Sequence, residues 1–303
     1  MDGESGSFKI ITEDEALPKR QPRPDWLKVR LPQGAGYFHL KGLVRDLRLN
    51  TVCEDARCPN IGECWGAGTA TFMILGEVCT RACRFCAVKS GRPPEYDLDE
   101  PRRVAEAIAR LRLKYAVITS VDRDDLEDGG AFIFAETIRL TRASCPGIRI
   151  EVLIPDFRGS VSALQKVVDA RPDVLAHNIE TVPRLYRTAR AGSRYSRSLE
   201  HLRSARSFGV EVTTKSSIML GLGERRNEVL EVLRDLRGAG VDIVTLGQYL
   251  QPTRDHLPVD RFYTPDEFAD LGEYARSLGF GHVESGPLVR SSYHAERQAS
   301  ALT

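Results

Sequence analysis

The run Thr71-Phe72-Met73-Ile74-Leu75, followed after three residues by Cys79-Thr80-Arg81-Ala82-Cys83-Arg84-Phe85-Cys86, sets the architecture of this chain. The first five residues are apolar or β-branched and end at Gly76, as a buried strand requires. The loop behind them has the spacing C-x3-C-x2-C. Three thiolates on one tight loop can hold three irons of a four-iron cluster and leave the fourth iron open to a small-molecule chelator. Zinc is the competing ligand. A structural zinc site usually takes four donors, commonly from paired C-x2-C knuckles, and three cysteines do not close one.

Downstream, short β-rich runs alternate with amphipathic ones. The strands are expected at Thr71–Leu75, Tyr115–Thr119, Ile148–Ile154, Val174–His177, Glu211–Met219 and Asp242–Leu246. Helices are expected near 101–112, 130–142, 160–170, 197–208 and 226–238, with a last one from Pro265 to Leu278 ended by Gly279. Such alternation implies a parallel sheet with right-handed crossovers. Six units are two short of a closed eight-stranded barrel, so the barrel is expected to be open.

A β/α barrel binds substrates at the C-terminal ends of its strands. Asp128-Gly129-Gly130 follows the second strand, and glycine there would let backbone carbonyls approach a ligand; a plain loop into a helix is the alternative. His177-Asn178-Ile179-Glu180 ends the fourth strand. Asn178 and Glu180 suit polar ligand groups, while His177 also fits a hydrogen-bonded interior residue. Lys215, in the fifth strand, could pair with a carboxylate. Gly221-Leu222-Gly223-Glu224 follows that strand, although a lone G-x-G is weak evidence by itself.

Upstream, residues 1–48 carry Pro18, Pro22, Pro24 and Pro32 and read as an extended arm, anchored through Trp26, with a short helix near His39 to Leu47. Residues 49–68 read as irregular backbone around Cys53-x4-Cys58-x5-Cys64. Six of the seven cysteines thus fall within 34 residues, which in a reducing compartment argues for metal rather than disulfides. Cys145 stands apart and reads as a small buried apolar residue.

The 303 residues suffice for one large core with extensions. Hydrophobic residues make up 42% and charged residues 28%, an ordinary globular profile. A net charge of +1 gives no footprint for nucleic acid or an anionic membrane, though plentiful arginine leaves room for local patches. No apolar run reaches the ~18 residues of a membrane span. The start Met1-Asp2-Gly3-Glu4-Ser5 lacks an apolar signal core and is too acidic for a transit peptide, so the cytoplasm is expected.

The C-x3-C-x2-C loop after a first strand resembles the radical S-adenosylmethionine superfamily. The added C-x4-C-x5-C triad, with Pro59-Asn60, Glu63-Cys64-Trp65 and the tail Arg290-Ser291-Ser292-Tyr293, is similar to the lipoyl synthase family within it. That resemblance implies a partial (β/α)6 TIM-like barrel at 69–283, an N-terminal extension at 1–68 carrying auxiliary cluster ligands, and a tail at 284–303. It implies two 4Fe–4S clusters. Cys79, Cys83 and Cys86 would hold the one that meets S-adenosylmethionine, and Cys53, Cys58, Cys64 and Ser292 the auxiliary one. Phe85, Asp128, Gly129, Gly130, Asn178, Glu180, Lys215, Gly221, Gly223 and Glu224 would contact S-adenosylmethionine. The implied activity is a sulfurtransferase that inserts two sulfur atoms, taken from the auxiliary cluster, at C6 and C8 of an octanoyl chain. That chain is carried on a lysine of a lipoyl domain. The implied partners are octanoylated lipoyl domains of 2-oxoacid dehydrogenases or glycine cleavage H protein, a ferredoxin or flavodoxin reductant, and iron–sulfur carrier proteins. Other radical sulfur-inserting enzymes, an electron carrier and a zinc module are the rival classes.

Overall fold

The computed structural model describes residues 22–300 except 30, 31, 33, 57, 67 and 68; the first 21 residues of the expected arm lie outside the described residues. Strands β1 (Asn50–Thr51), β2 (Thr71–Ile74), β5 (Tyr115–Ser120), β6 (Arg149–Leu153), β7 (Val174–Ala176), β8 (Thr213–Leu220), β9 (Ile243–Gln248) and β10 (His282–Gly286) form one sheet in that order. A short parallel pair, β3 (Val78–Cys79) with β4 (Lys89–Ser90), frames the cysteine loop. From β2 to β10 every neighbour is parallel, and β1 adds to β2 antiparallel. The two edges, β1 and β10, do not pair with each other, so the barrel is open. All six expected strands are present, and the fold is a partial TIM-like α/β barrel of six strand–helix units.

The helices are α1 (Ala35–Asp46), α2 (Val52–Asp55), α3 (Ile61–Gly66), α4 (Glu100–Arg110), α5 (Ala131–Ser144), α6 (Val161–Asp169), α7 (Tyr186–Ala189), α8 (Tyr195–Ser204), α9 (Arg226–Gly238), α10 (Pro265–Ser277) and α11 (Ala295–Ser300). Their starts follow local chemistry. Ser160 Oγ accepts from Ala163 N at the head of α6, and Thr264 and Glu267 form a reciprocal capping box ahead of α10, with Pro265 at its first position.

The strands obey the period of two. Ile218, Leu220, Val244 and Leu246 face out and pack with Val229, Val232 and Leu236 of α9. The alternate residues face in, and many are polar: Glu151, Lys215, Ser217 and Thr245 are all buried. Tyr115, Val117 and Val174 instead receive Ala295 and Ala299 of α11, so the C-terminal helix packs against the inner face of the sheet.

Three expectations change. The sheet gains β10, which crosses residue 283, where barrel was expected to give way to tail. Within 49–68 the described residues include two short helices, the first capped by Thr51, whose Oγ1 accepts from Glu54 N at 3.3 Å. Trp26 does not anchor the arm: it is 40% exposed, while Leu27 beside it is 2% exposed and takes that role.

Candidate active site

The first triad sits on the loop between β3 and β4. Backbone N–H groups of Arg81 and Asp122 donate to Cys79 Sγ at 3.4 and 3.3 Å. Cys86 N donates to the Cys83 carbonyl at 3.0 Å, closing the turn that brings these two together. The loop is pinned from three sides. Arg84 N donates to Ala189 O at 2.9 Å, Leu257 N donates to Arg84 O at 2.9 Å, and His256 Nε2 lies 2.8 Å from Cys86 O. Arg81, within the loop, is the fourth tie. Its guanidinium reaches Asp124 at 2.7 and 2.8 Å and Asp156 at 2.6 Å, with Asp122 Oδ1 3.3 Å away. Those acids follow β5 and β6, so the ion pairs bolt the cysteine loop to the neighbouring strand ends.

The second triad lies on α2, α3 and the turn between them. Its three thiols interact with one another electrostatically, and Thr71, the first residue of β2, gives its backbone N–H to Cys53. The tail reaches this place from more than 220 residues away. Thr71 Oγ1 donates to Ser292 Oγ at 3.0 Å, Asn60 Nδ2 donates to Leu288 O at 2.7 Å, and Tyr293 OH donates to Glu63 at 3.1 Å. Ser292 therefore joins the triad through Thr71. The two triads stand at opposite ends of β2, whose four residues span roughly 13 Å at about 3.3 Å per residue.

Burial pushes up the thiols of both sets: Cys83 and Cys64 to about 12 and Cys86 to about 11, with Cys53, Cys58 and Cys79 raised as well. Unloaded, they are neutral soft donors waiting to exchange protons for a cation. Among the described residues, no three His, Cys, Asp or Glu side chains stand close enough for a single metal ion. Buried polar atoms stand near both places. Trp65 Nε1 points at the Cys53 thiol, and among the described residues Ser120 Oγ and Asn178 Oδ1, at the ends of β5 and β7, have no hydrogen-bond partner. Soft donors in threes beside unsatisfied polar groups fit an iron–sulfur cluster and a polar organic ligand.

The remaining candidates divide. Asn178 and Glu180 belong to the mouth. Arg190 Nη1 donates to Asn178 O at 2.7 Å, and the Glu180 carboxyl is raised by burial, opposed by Arg190 and Asn178. Glu180 also holds a left-handed backbone, φ 67°, bridging to Ile218. Phe85 is half-buried on the cysteine loop. Asp128, Gly129 and Gly130 form the turn into α5: the Asp128 carboxylate accepts from Gly130 N and Phe132 N, each at 3.0 Å. Both glycines are needed for packing, since a Cβ at Gly130 would stand 2.3 Å from Leu75 Cδ1 and one at Gly129 2.9 Å from Phe157 Cδ1. Glu224 is spent on its own loop, accepting from Gly221 N at 2.6 Å and Leu222 N at 2.9 Å, and Gly223 lies beside Asp260.

Lys215 differs from its expected place. Its ammonium is fully buried on Glu151, at 2.8 and 3.1 Å, and Tyr115 OH donates to the same carboxylate at 2.7 Å. It does pair with a carboxylate, but with one supplied by the barrel itself. His177 is an interior residue, with Nδ1 2.8 Å from Ile154 O and Nε2 2.9 Å from Ser198 Oγ. Cys145 ends α5, half-buried against the core. Sequence reasoning assigned no role to Arg81, Asp122, Arg190 or Arg290. Arg290 lies deep beside Cys58, where burial lowers its basicity, and its guanidinium donates to Val289 O at 2.6 Å. Each is an arginine or acid among dozens, with meaning only in three dimensions.

An open β/α barrel with a three-cysteine loop after its first parallel strand defines a Radical SAM protein. The Radical SAM superfamily profile matches residues 73–236, and the N-terminal domain of lipoyl synthase of the Radical_SAM family matches 10–58. Over 289 residues the chain is 58% identical to lipoyl synthase of Rubrobacter xylanophilus, covering 94% of this chain and 90% of that one. It is 56% identical to that of Koribacter versatilis, with coverage of 97% and 96%, and 54% identical to the mitochondrial lipoyl synthase of Nematostella vectensis, with coverage of 96% and 99%. The chain belongs to the lipoyl synthase family, and is thereby a radical SAM sulfurtransferase that uses a 4Fe–4S cluster and S-adenosylmethionine. Its fold is shared with the FeFe-hydrogenase maturase HydG from Carboxydothermus hydrogenoformans, at TM-score 0.58, 14% identity and coverage of 88% of this chain and 60% of that one. Streptococcus suis SuiB bound to its precursor peptide gives TM-score 0.56 at 11% identity, covering 71% and 48%.

Proposed function

We propose that this protein holds two 4Fe–4S clusters and inserts two sulfur atoms, at C6 and C8, into an octanoyl chain carried on a lysine of a lipoyl domain. The single observation that carries the two-cluster reading is the pair of thiol triads at opposite ends of β2, the second stitched to a tail serine. Cys79, Cys83 and Cys86 would hold one cluster; Cys53, Cys58, Cys64 and Ser292 would hold the other. Bound there, the first supplies the electron that splits S-adenosylmethionine into methionine and a 5′-deoxyadenosyl radical, and the second supplies sulfur. The chain's own residues position and exclude. Arg81 fixes the cysteine loop against β5 and β6. Asn178, Glu180 and Arg190 offer an amide, a carboxyl and a cation suited to ribose hydroxyls, an ammonium and a carboxylate. Arg290 places a positive charge by Cys58, where a cluster held by thiolates would carry negative charge.

The C–H bonds at C6 and C8 are unactivated, so no nucleophile–base pair is required. A serine oxygen is a harder iron ligand than a thiolate, which suits a cluster that gives up its sulfide. The crowded thiols support a reducing cytoplasmic setting, with a ferredoxin or flavodoxin as electron source and iron–sulfur carrier proteins for reloading. Among the described residues, no helix is long and apolar enough to cross a membrane. Anaerobic reaction with an octanoylated lipoyl domain, followed by mass analysis, tests the reading. Two added sulfurs per domain and two 5′-deoxyadenosines are expected; 5′-deoxyadenosine without sulfur in the product would refute it.

A further inference from the structure

We infer that the α7–α8 side of the barrel mouth is a docking face for an acidic surface on the carrier domain. The inference rests on the proposal above that the acyl chain arrives on a protein. A groove of about 600 Å³ opens there, lined by Tyr186, Arg187, Arg190, Arg194 and Tyr195 among others, and among the described residues no aspartate or glutamate lines it. Arg187 and Arg194 are exposed, and among the described residues their side chains have no hydrogen-bond or ion-pair partner. Two more exposed arginines without such partners adjoin it. Arg84 is tied by its backbone to Ala189 O, and its own carbonyl accepts from Leu257 N, which brings the Arg254 turn alongside. Asp255 is the acid next to Arg254 on that turn.

Neighbouring arginines are satisfied. Arg184 pairs with Glu228 at 2.8 Å and Arg197 with Asp156 at 3.1 Å. On the outer helices Arg102 and Arg139 are paired within their own turns. Arg187 and Arg194 in the groove, with Arg84 and Arg254 near it and Asp255 the acid beside them, carry unused forked donors that match carboxylates. Such a rim steers an acidic partner to the mouth and sets its orientation, acting on encounter more than on chemistry. A protein partner fits better than nucleic acid, because the net charge of +1 leaves this basic surface local and the groove is the size of a side-chain cluster.

The test compares Arg187→Glu/Arg194→Glu with Arg112→Glu/Lys114→Glu. The second pair makes the same charge change at exposed positions just before β5, on the opposite rim. Each enzyme is assayed with the octanoylated carrier domain and with a short uncharged octanoyl-lysine peptide. Binding of the carrier with its lysine unmodified is measured separately by calorimetry at low salt. The expected result for the Arg187/Arg194 variant is a KM for the carrier raised at least tenfold, calorimetric binding lost, and peptide kinetics within twofold of the unaltered enzyme. The opposite-rim variant should behave as the unaltered enzyme. An unchanged carrier KM, an equal loss on peptide and carrier, the same loss in the opposite-rim variant, or carrier binding displaced equally by any polyanion would overturn the proposal. If the unaltered enzyme modifies neither substrate, the functional reading has failed and the docking face falls with it; if it modifies both and the variant matches it on the carrier, the docking face alone is wrong.

Discussion

Lys215→Met should unfold the barrel more readily without touching S-adenosylmethionine cleavage. The ammonium and its partner Glu151 are 0% and 2% exposed, with contacts of 2.8 and 3.1 Å. Removing the lysine strands a buried carboxylate with one remaining hydrogen bond, from Tyr115 OH. Breaking one side of a buried pair costs about 3–5 kcal/mol. For a chain of this size that lowers the thermal midpoint by on the order of 10 °C, at about 2–4 °C per kcal/mol. The double variant Lys215→Met/Glu151→Leu leaves no charge behind, only the Tyr115 hydroxyl unpaired, at about 1–3 kcal/mol. It should therefore recover much of the loss, and adding Tyr115→Phe should recover more. Anaerobic thermal and urea unfolding measures all three. A neutral single variant, or a double variant as damaged as the sum of its singles, would mean that the Lys215–Glu151 pair does not hold the barrel in this way. Cleavage assayed well below the midpoint decides the functional half: loss of 5′-deoxyadenosine from folded Lys215→Met would return this lysine to the cofactor site.

The two triads should fail differently. Alanine at Cys79, Cys83 or Cys86 should abolish 5′-deoxyadenosine, whereas alanine at Cys53, Cys58 or Cys64 should leave cleavage but stop sulfur insertion; both are read by liquid chromatography and mass analysis. Gly221→Ala should cost about 3 kcal/mol or more, because at φ 100° its Cβ would stand 2.2 Å from Gln248 Nε2 and 2.6 Å from Arg261 O. Gly223→Ala, at φ 102° but with nothing nearer than 3.8 Å, should cost only about 1 kcal/mol of backbone strain, and matched urea melts would show the gap. Acid should weaken the metal-free protein between pH 6.5 and about 4. Burial, the largest cause, pushes His201 down to about 4 and His177 down too, so in that window the unfolded chain binds more protons than the folded one. Stability thus falls as pH falls, by up to about 3 kcal/mol for His201, and His201→Gln should flatten that slope; an unchanged slope would contradict it.

The alternation of short apolar runs with amphipathic ones carried most of the fold, because outward strand residues and inward helix faces share one core. It failed at His282-Val283-Glu284-Ser285-Gly286, which has a single β-branched residue. As an edge strand alternating into a polar interior, it never shows a continuous apolar run. It failed also at 49–68, where the short helices are held by Asn60, Glu63 and the tail rather than by their own propensity. The cysteines were legible because few other chemistries need three thiols so close. The ligand-facing polar groups were less so. Strand alternation shows that Lys215 points inward, but not that Glu151 waits for it. Glu224, by contrast, could have been read: an acid just after two glycines is placed to cap their own loop's amides.

An isotope decides whether the second triad holds the sulfur that enters the product. Protein loaded with heavy-sulfide clusters reacts anaerobically with an octanoylated lipoyl domain in unlabelled buffer, and the product is weighed. Two heavy sulfurs in each product are expected, with a halt near one product per chain without reloading. Unlabelled product from fully labelled protein, or many unassisted turnovers, would contradict that role for the second triad.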